Sequence, residues 1–212
     1  MQTIRSLNPN VSREQAIRLF EGRGLTKQLR LLRRGPLRSV ALVHVPFRLF
    51  AVEIANRGTV DLTWLAQDAV KGNFDPYKFD GPIDGRMSLV TTRNCILPSL
   101  SCDEVMERLK NKVRRTVFGS GFFRVRQLEI RAKLELAEFY VPYWVGFSGS
   151  SSNANLTVID AVRGVFEGAK LRKFLYEWLV EKQESGVSSQ ESADLCGREV
   201  KTQELEVIVQ AQ

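Results

Sequence analysis

Phe139-Tyr-Val-Pro-Tyr-Trp-Val-Gly-Phe147 is followed, after a polar loop, by Leu156-Thr-Val-Ile-Asp-Ala-Val-Arg-Gly-Val-Phe166. The pair reads as two strands joined by a hairpin, the second closing on an Asp-Ala-Val-Arg-Gly turn. Earlier in the chain, His44-Val-Pro-Phe-Arg-Leu-Phe50 and then Gln67-Asp-Ala-Val-Lys-Gly-Asn-Phe74 repeat nearly the same pattern. Two further landmarks recur in order: a Pro-x-x-Ser helix start (Pro9 and Ser12, Pro98 and Ser101) and a later Lys-Phe (Lys78-Phe79, Lys173-Phe174). Four matches in the same order point to a duplicated unit.

The expected fold is therefore α+β. It has two duplicated units, each an N-terminal helix packed on a curved antiparallel sheet, plus a C-terminal amphipathic helix. The first unit is expected over 1–80, a connection over 81–97, the second unit with its helix over 98–182, and an acidic, largely flexible tail over 183–212. Ser12, followed by Glu14 and Gln15, signals the first helix; Ser101 and Asp103, at a constant offset from Ser12 and Glu14, mark its counterpart. Leu25 to Arg34 fits a second short helix before Gly35-Pro36. Pro46 interrupts a β-rich run and predicts a bulge, bend or edge position, since proline donates nothing to a ladder. Phe122 to Phe147 reads as two strands, with alternation over Gln127 to Leu136 that predicts one wet face. Leu171, Phe174, Leu175, Trp178 and Leu179 recur at helical spacing and form a broad apolar stripe. Gln183 to Gly197 is polar and reads as disordered, and Ser148 to Asn155 as a mobile hairpin tip. Glu204 to Val209 fits an edge strand or docking peptide.

With 212 residues and 43% apolar content, the chain is able to bury a core. No apolar run reaches the ~18 residues of a membrane span. Met1 to Asn10 lacks the apolar region of a secretory signal, so a cytoplasmic location is expected. Cys95, Cys102 and Cys196 form no CxxC pair, which excludes a zinc ribbon and argues for reduced thiols. The net charge is +7. Residues 183–212 hold Arg198 and Lys201 against Glu184, Glu191, Asp194, Glu199, Glu204 and Glu206, a net −4 that leaves +11 on the rest.

His44 is the only histidine, and its apolar surroundings favour packing over catalysis. No phosphate-binding, nucleophile-elbow or metalloprotease motif is present, and neither a cofactor nor a metal site is expected. Asp68 and Asp160 sit at equivalent turns, either as a carboxylate pair or as acceptors within their own turns. Tyr140, Tyr143 and Trp144 lie where a stacking platform or a two-sided core is possible. These five residues make the expected ligand or partner surface. Arg23, Lys27, Arg30 and Arg34, and then Arg108, Lys112 and Arg115, form two basic helical sides able to track phosphates.

Ser12, Glu14, Ala16, Asp68, Ala69 and Gly72, then Ser101, Asp103, Val105, Asp160, Ala161 and Gly164, together resemble the PepSY domain pattern. The resemblance covers about 150 residues in two copies and implies a helix on an antiparallel sheet with a non-catalytic, partner-binding role. The Val-Pro-aromatic strand and the basic helices are not part of that pattern. The expected function is a non-enzymatic cytoplasmic binding or regulatory module, acting on a protein or small ligand through its sheet face or the cleft between units. Polyanion binding through the basic helices, and an enzyme with a site between the units, stand as alternatives.

Overall fold

The computed structural model describes residues 1–56, 58–81, 83, 85–119, 128–150 and 153–191. In chain order the elements are β1 (Gln2–Leu7), α1 (Arg13–Glu21), α2 (Gly24–Arg34), β2 (Leu37–Asn56), β3 (Thr59–Asp68), β4 (Tyr77–Phe79), β5 (Met87–Thr92), α3 (Cys102–Gly119), β6 (Glu129–Ser150), β7 (Asn153–Asp160) and α4 (Ala169–Glu191). The class is α+β. The sheet runs β4-β3-β2-β6-β1-β5, with β7 also paired to β6. Its β1–β5, β2–β3 and β3–β4 pairs are antiparallel, and β1 meets β6 in parallel at Ser6 and Tyr140.

Packing divides the chain into two compact units. Unit 1 holds residues 1–10 and 43–143; unit 2 holds 11–42 and 144–212. These units interleave the sequence, whereas the expected boundaries run along it.

In unit 1, α3 buries Val105, Leu109 and Val113 against Phe50 and Val52 of β2 and Ala69. The spacing of those α3 residues places them on one helical side, one turn apart. Ser101 caps this helix. Its amide donates to Glu104 Oε2 (2.8 Å) and its Oγ accepts from the Glu104 amide (3.2 Å). Ile130 and Ala132 of β6 pack on the same cluster while Glu129, Arg131 and Lys133 are exposed, so the predicted wet face is present.

In unit 2, α1 buries Ala16 and Phe20 with Val11, Trp144, Ile159 and Ala161. Ser12 and Gln15 form the reciprocal capping box, with Ser12 N–H donating to Gln15 Oε1 (2.8 Å). Gly146 is required here: a Cβ would lie 2.9 Å from the Phe20 ring.

The helices do not simply sit on the strands that follow them. The Val11 amide, at the start of α1, donates to the Ala161 carbonyl (2.9 Å), and the Ser99 and Leu100 amides, before α3, donate to the Ala69 carbonyl (3.0 Å each). Each helix is thus tethered to the closing turn of the other half of the sequence. The expected pairing of every N-terminal helix with its own following hairpin is corrected to that extent.

Other expectations resolve locally. β2 runs unbroken through Pro46, whose carbonyl accepts from the Ala69 amide (2.9 Å). The β2–β3 ladder begins at Phe47, while His44 on the other side of the proline bonds Asn94 and Ile96. Pro46 therefore marks a change of partner, and its missing N–H breaks no ladder bond to β3. The β-rich stretch up to Phe147 is one strand from Glu129 onward rather than two. α4 continues to Glu191, so the first part of the polar segment after Lys182 is helical. Ser151 and Ser152 of the expected hairpin tip, and residues 192–212 with the Glu204 to Val209 segment, lie outside the described residues.

Candidate functional site

The aromatic residues singled out from the sequence are interior. Tyr140 and Tyr143 in unit 1 are 1% and 2% exposed, and Trp144 in unit 2 is 6% exposed. Burial raises the Tyr140 hydroxyl well above its ordinary pKa, and its hydrogen bond to Glu138 Oε1 (3.0 Å) adds to that. Trp144 Nε1 donates to the Val11 carbonyl (2.8 Å), fixing the entry to α1.

Asp68 and Asp160 are fully buried. In unit 1, Asp68 Oδ1 accepts the amides of Lys71 (2.8 Å) and Gly72 (2.6 Å), and Oδ2 accepts the Phe74 amide (3.0 Å) and Gln67 Nε2 (2.6 Å). Gly72 takes φ 58°, a left-handed conformation that a side chain resists, and a Cβ there would meet Arg108 Cδ at 2.5 Å. In unit 2, Asp160 Oδ1 accepts the amides of Val162 and Arg163 (2.8 Å each), and Oδ2 pairs with Arg163 Nε (2.7 Å). Each carboxylate accepts backbone amides of its own turn.

The basic residues are also largely engaged. In unit 2, Lys27 pairs with Glu21 (2.8 Å), Arg30 donates to the Phe20 carbonyl (3.0 Å), and Arg34 donates to Thr157 Oγ1 (3.0 Å). In unit 1, Arg108 donates to the Lys71 carbonyl, and Lys112 to Gln67 Oε1 (3.0 Å) and the Phe74 carbonyl. Arg23 and Arg115 are exposed. Sequence spacing groups these cations by helical side; the structure turns Arg30, Arg108 and Lys112 toward nearby backbone carbonyls and Lys27 and Arg34 toward side chains.

His44 is 3% exposed, and its Nδ1 has no hydrogen-bond partner. Burial pushes its pKa down to about 4, so the ring is neutral near neutral pH. Among the described residues no group of three or more His, Cys, Asp or Glu gathers as a metal site. Nor is any helix there long and apolar enough to cross a membrane. Cys95 and Cys102 are free thiols.

One feature of unit 1 was missed in the sequence. A cleft of about 710 Å³ opens beside β3, lined by Ile54, Leu62, Trp64, Leu65, Phe79, Val113 and Val117, with Asp61, Lys78, Asp80 and Thr116 also contributing. Asp61 through Thr63, Trp64 and Leu65 all line it. Successive strand side chains point to opposite faces, so a cleft touching five in a row must wrap the strand's edge. The pairing explains how that edge is left open. β4 covers β3 only from Trp64 to Ala66, while β2 pairs with β3 from Thr59 to Asp68. Among the described residues, Thr59 to Thr63 therefore have one neighbouring strand and one bare edge. Thr63 Oγ1 is buried there without a hydrogen-bond partner. The alternation Val60, Leu62, Trp64 was visible in the sequence; the shortness of β4, which bares the edge, was not.

No protein-family model, no curated protein and no solved structure matches this chain.

Proposed function

We propose that the protein is a non-enzymatic binding module that takes an extended apolar peptide of a partner protein along the free edge of β3. The observation that carries this reading is the coincidence of the bare Thr59–Thr63 edge with the apolar cleft. An added strand gains main-chain hydrogen bonds along such an edge, and alternate side chains enter the adjoining pocket. Trp64 and Phe79 offer apolar walls, and Thr63 Oγ1 offers a polar group in need of a partner. Asp61, Lys78 and Asp80 offer charges that bias which peptides are accepted. Asp68 and Asp160 are read here as turn-formers, each accepting backbone amides of its own turn.

Duplication belongs to the same proposal. Two capping boxes, two buried aspartates and two left-handed glycines (Gly72 and Gly164) recur in the units, and the amide-to-alanine-carbonyl tethers are reciprocal. That pattern supports two copies that have exchanged their N-terminal helices. The PepSY-like reading and a cytoplasmic setting rest on the sequence alone and travel with this proposal.

Thr116 is exposed and lines the cleft from α3, so Thr116→Trp fills the opening without touching the core. Peptides selected on the wild-type protein are expected to lose at least roughly tenfold in affinity for that variant, measured by fluorescence polarisation. Equal binding by both proteins would place the peptide elsewhere and sink the reading.

A further inference from the structure

Helix α2 is built with its sides reversed. Leu25, Leu29 and Leu32 recur at i, i+4 and i+7 and so share one side; Lys27, Arg30 and Arg34 share the opposite one. An ordinary surface helix turns its apolar side to the core, yet none of the α2 side chains is buried. Leu25 is 77% exposed, Leu29 54% and Leu32 84%.

The cations hold the helix the other way round. Arg30 donates to the carbonyls of Leu19 and Phe20 at the end of α1 and lies 5.2 Å from the Phe166 ring centre. Lys27 binds Glu21 and Arg34 binds Thr157. All these partners belong to unit 2, so the unit itself presents the leucine side outward.

We propose that α2 is a docking helix for an anionic membrane surface, on which the protein lies without crossing. The charge of the helix is the main argument. Gly24–Arg34 holds four cations and no acidic residue, and it is flanked by Arg23 and Arg38. Arg23, Arg33 and Arg38 are exposed and make no ion pair among the described residues. Three leucines backed by cations, with low overall apolarity, are the composition of helices that sit in the headgroup region. The long stems of the exposed Arg23, Arg33 and Arg38 let their guanidiniums reach phosphates while the leucines enter the acyl boundary. The stripe carries no polar group for directional recognition of a protein surface, whereas a bilayer requires none. The cytoplasmic leaflet is the anionic one, and its field attracts a chain of net charge +7.

The test is sedimentation of the full chain with vesicles of phosphatidylcholine alone and of phosphatidylcholine doped with phosphatidylglycerol. The protein is expected to pellet with the doped vesicles only and to be released as salt rises. Combining Leu29→Glu with Leu32→Glu is expected to lower partitioning by roughly tenfold or more. Leu29→Ala with Leu32→Ala, a milder pair, should weaken it less, and thermal melts matching the wild type show that both variants are folded. No pelleting with either vesicle, or pelleting that the leucine variants leave intact, overturns the proposal. A dimer that the same variants dissolve, with no lipid binding, assigns the face to a second copy and overturns it as well.

Discussion

Asp68 shows how much a single side chain organises. Its two oxygens take three backbone amides and the Gln67 amide group, all within one turn of unit 1. Removing it leaves buried N–H groups without acceptors, at about 1–3 kcal/mol for each group that water cannot reach. Asp68→Ala is therefore expected to cost about 3 kcal/mol or more in urea unfolding, and a cost below about 1 kcal/mol would contradict the network described. His44 gives a pH signature. The ring's ordinary pKa of 6.5 falls to about 4 in the folded chain, chiefly through burial. Between those values the unfolded chain binds more protons, so stability falls as pH falls; below about 4 both states are protonated and the slope ends. The expected contribution is a loss of about 2 kcal/mol between about pH 7 and about pH 5, absent in His44→Leu. Comparing denaturant midpoints of the two proteins at both pH values checks it. An equal slope in both would show that the ring titrates normally.

Helices α2 and α3 each carry an apolar stripe at helical spacing, with opposite consequences. Leu109 of α3 is fully buried beside Val105 and Phe50, and Leu109→Ala should cost about 2–5 kcal/mol. Leu32 of α2 is 84% exposed, and Leu32→Ala should change stability by no more than about 0.5 kcal/mol. Thermal unfolding of the two variants separates these outcomes; a large loss at Leu32 would mean that α2 packs inward. The contrast also explains what was legible beforehand. Spacing identified both helices and both of their charged sides, because periodicity is a local property. It carried no information on which side faces in, since that depends on where Arg30 finds carbonyls and Phe166. The serine caps and aspartate turns were readable for the same local reason, as short-range hydrogen-bond chemistry.

Across the molecule, the α+β class and most strands follow from alternation and turn residues, whereas the partners of the helices do not. The tethers from Val11 to Ala161 and from Leu100 to Ala69 join residues far apart in the chain, and a linear reading pairs each helix with its nearest hairpin. The aromatic run at Tyr140 to Trp144 suits a stacking platform and a two-sided core equally by residue type; its side chains are buried, Tyr140 and Tyr143 in unit 1 and Trp144 in unit 2. The cleft was invisible for a third reason, since it exists only because β4 stops short of Thr63. That cleft is the central functional claim, and selection from a random peptide library on the full chain tests it most directly. Extended apolar peptides are expected to enrich with roughly micromolar Kd, losing at least roughly tenfold in affinity for Thr116→Trp and nothing for Leu29→Glu. Failure to enrich any peptide, or enriched peptides that bind Thr116→Trp as tightly as the wild type, would contradict it.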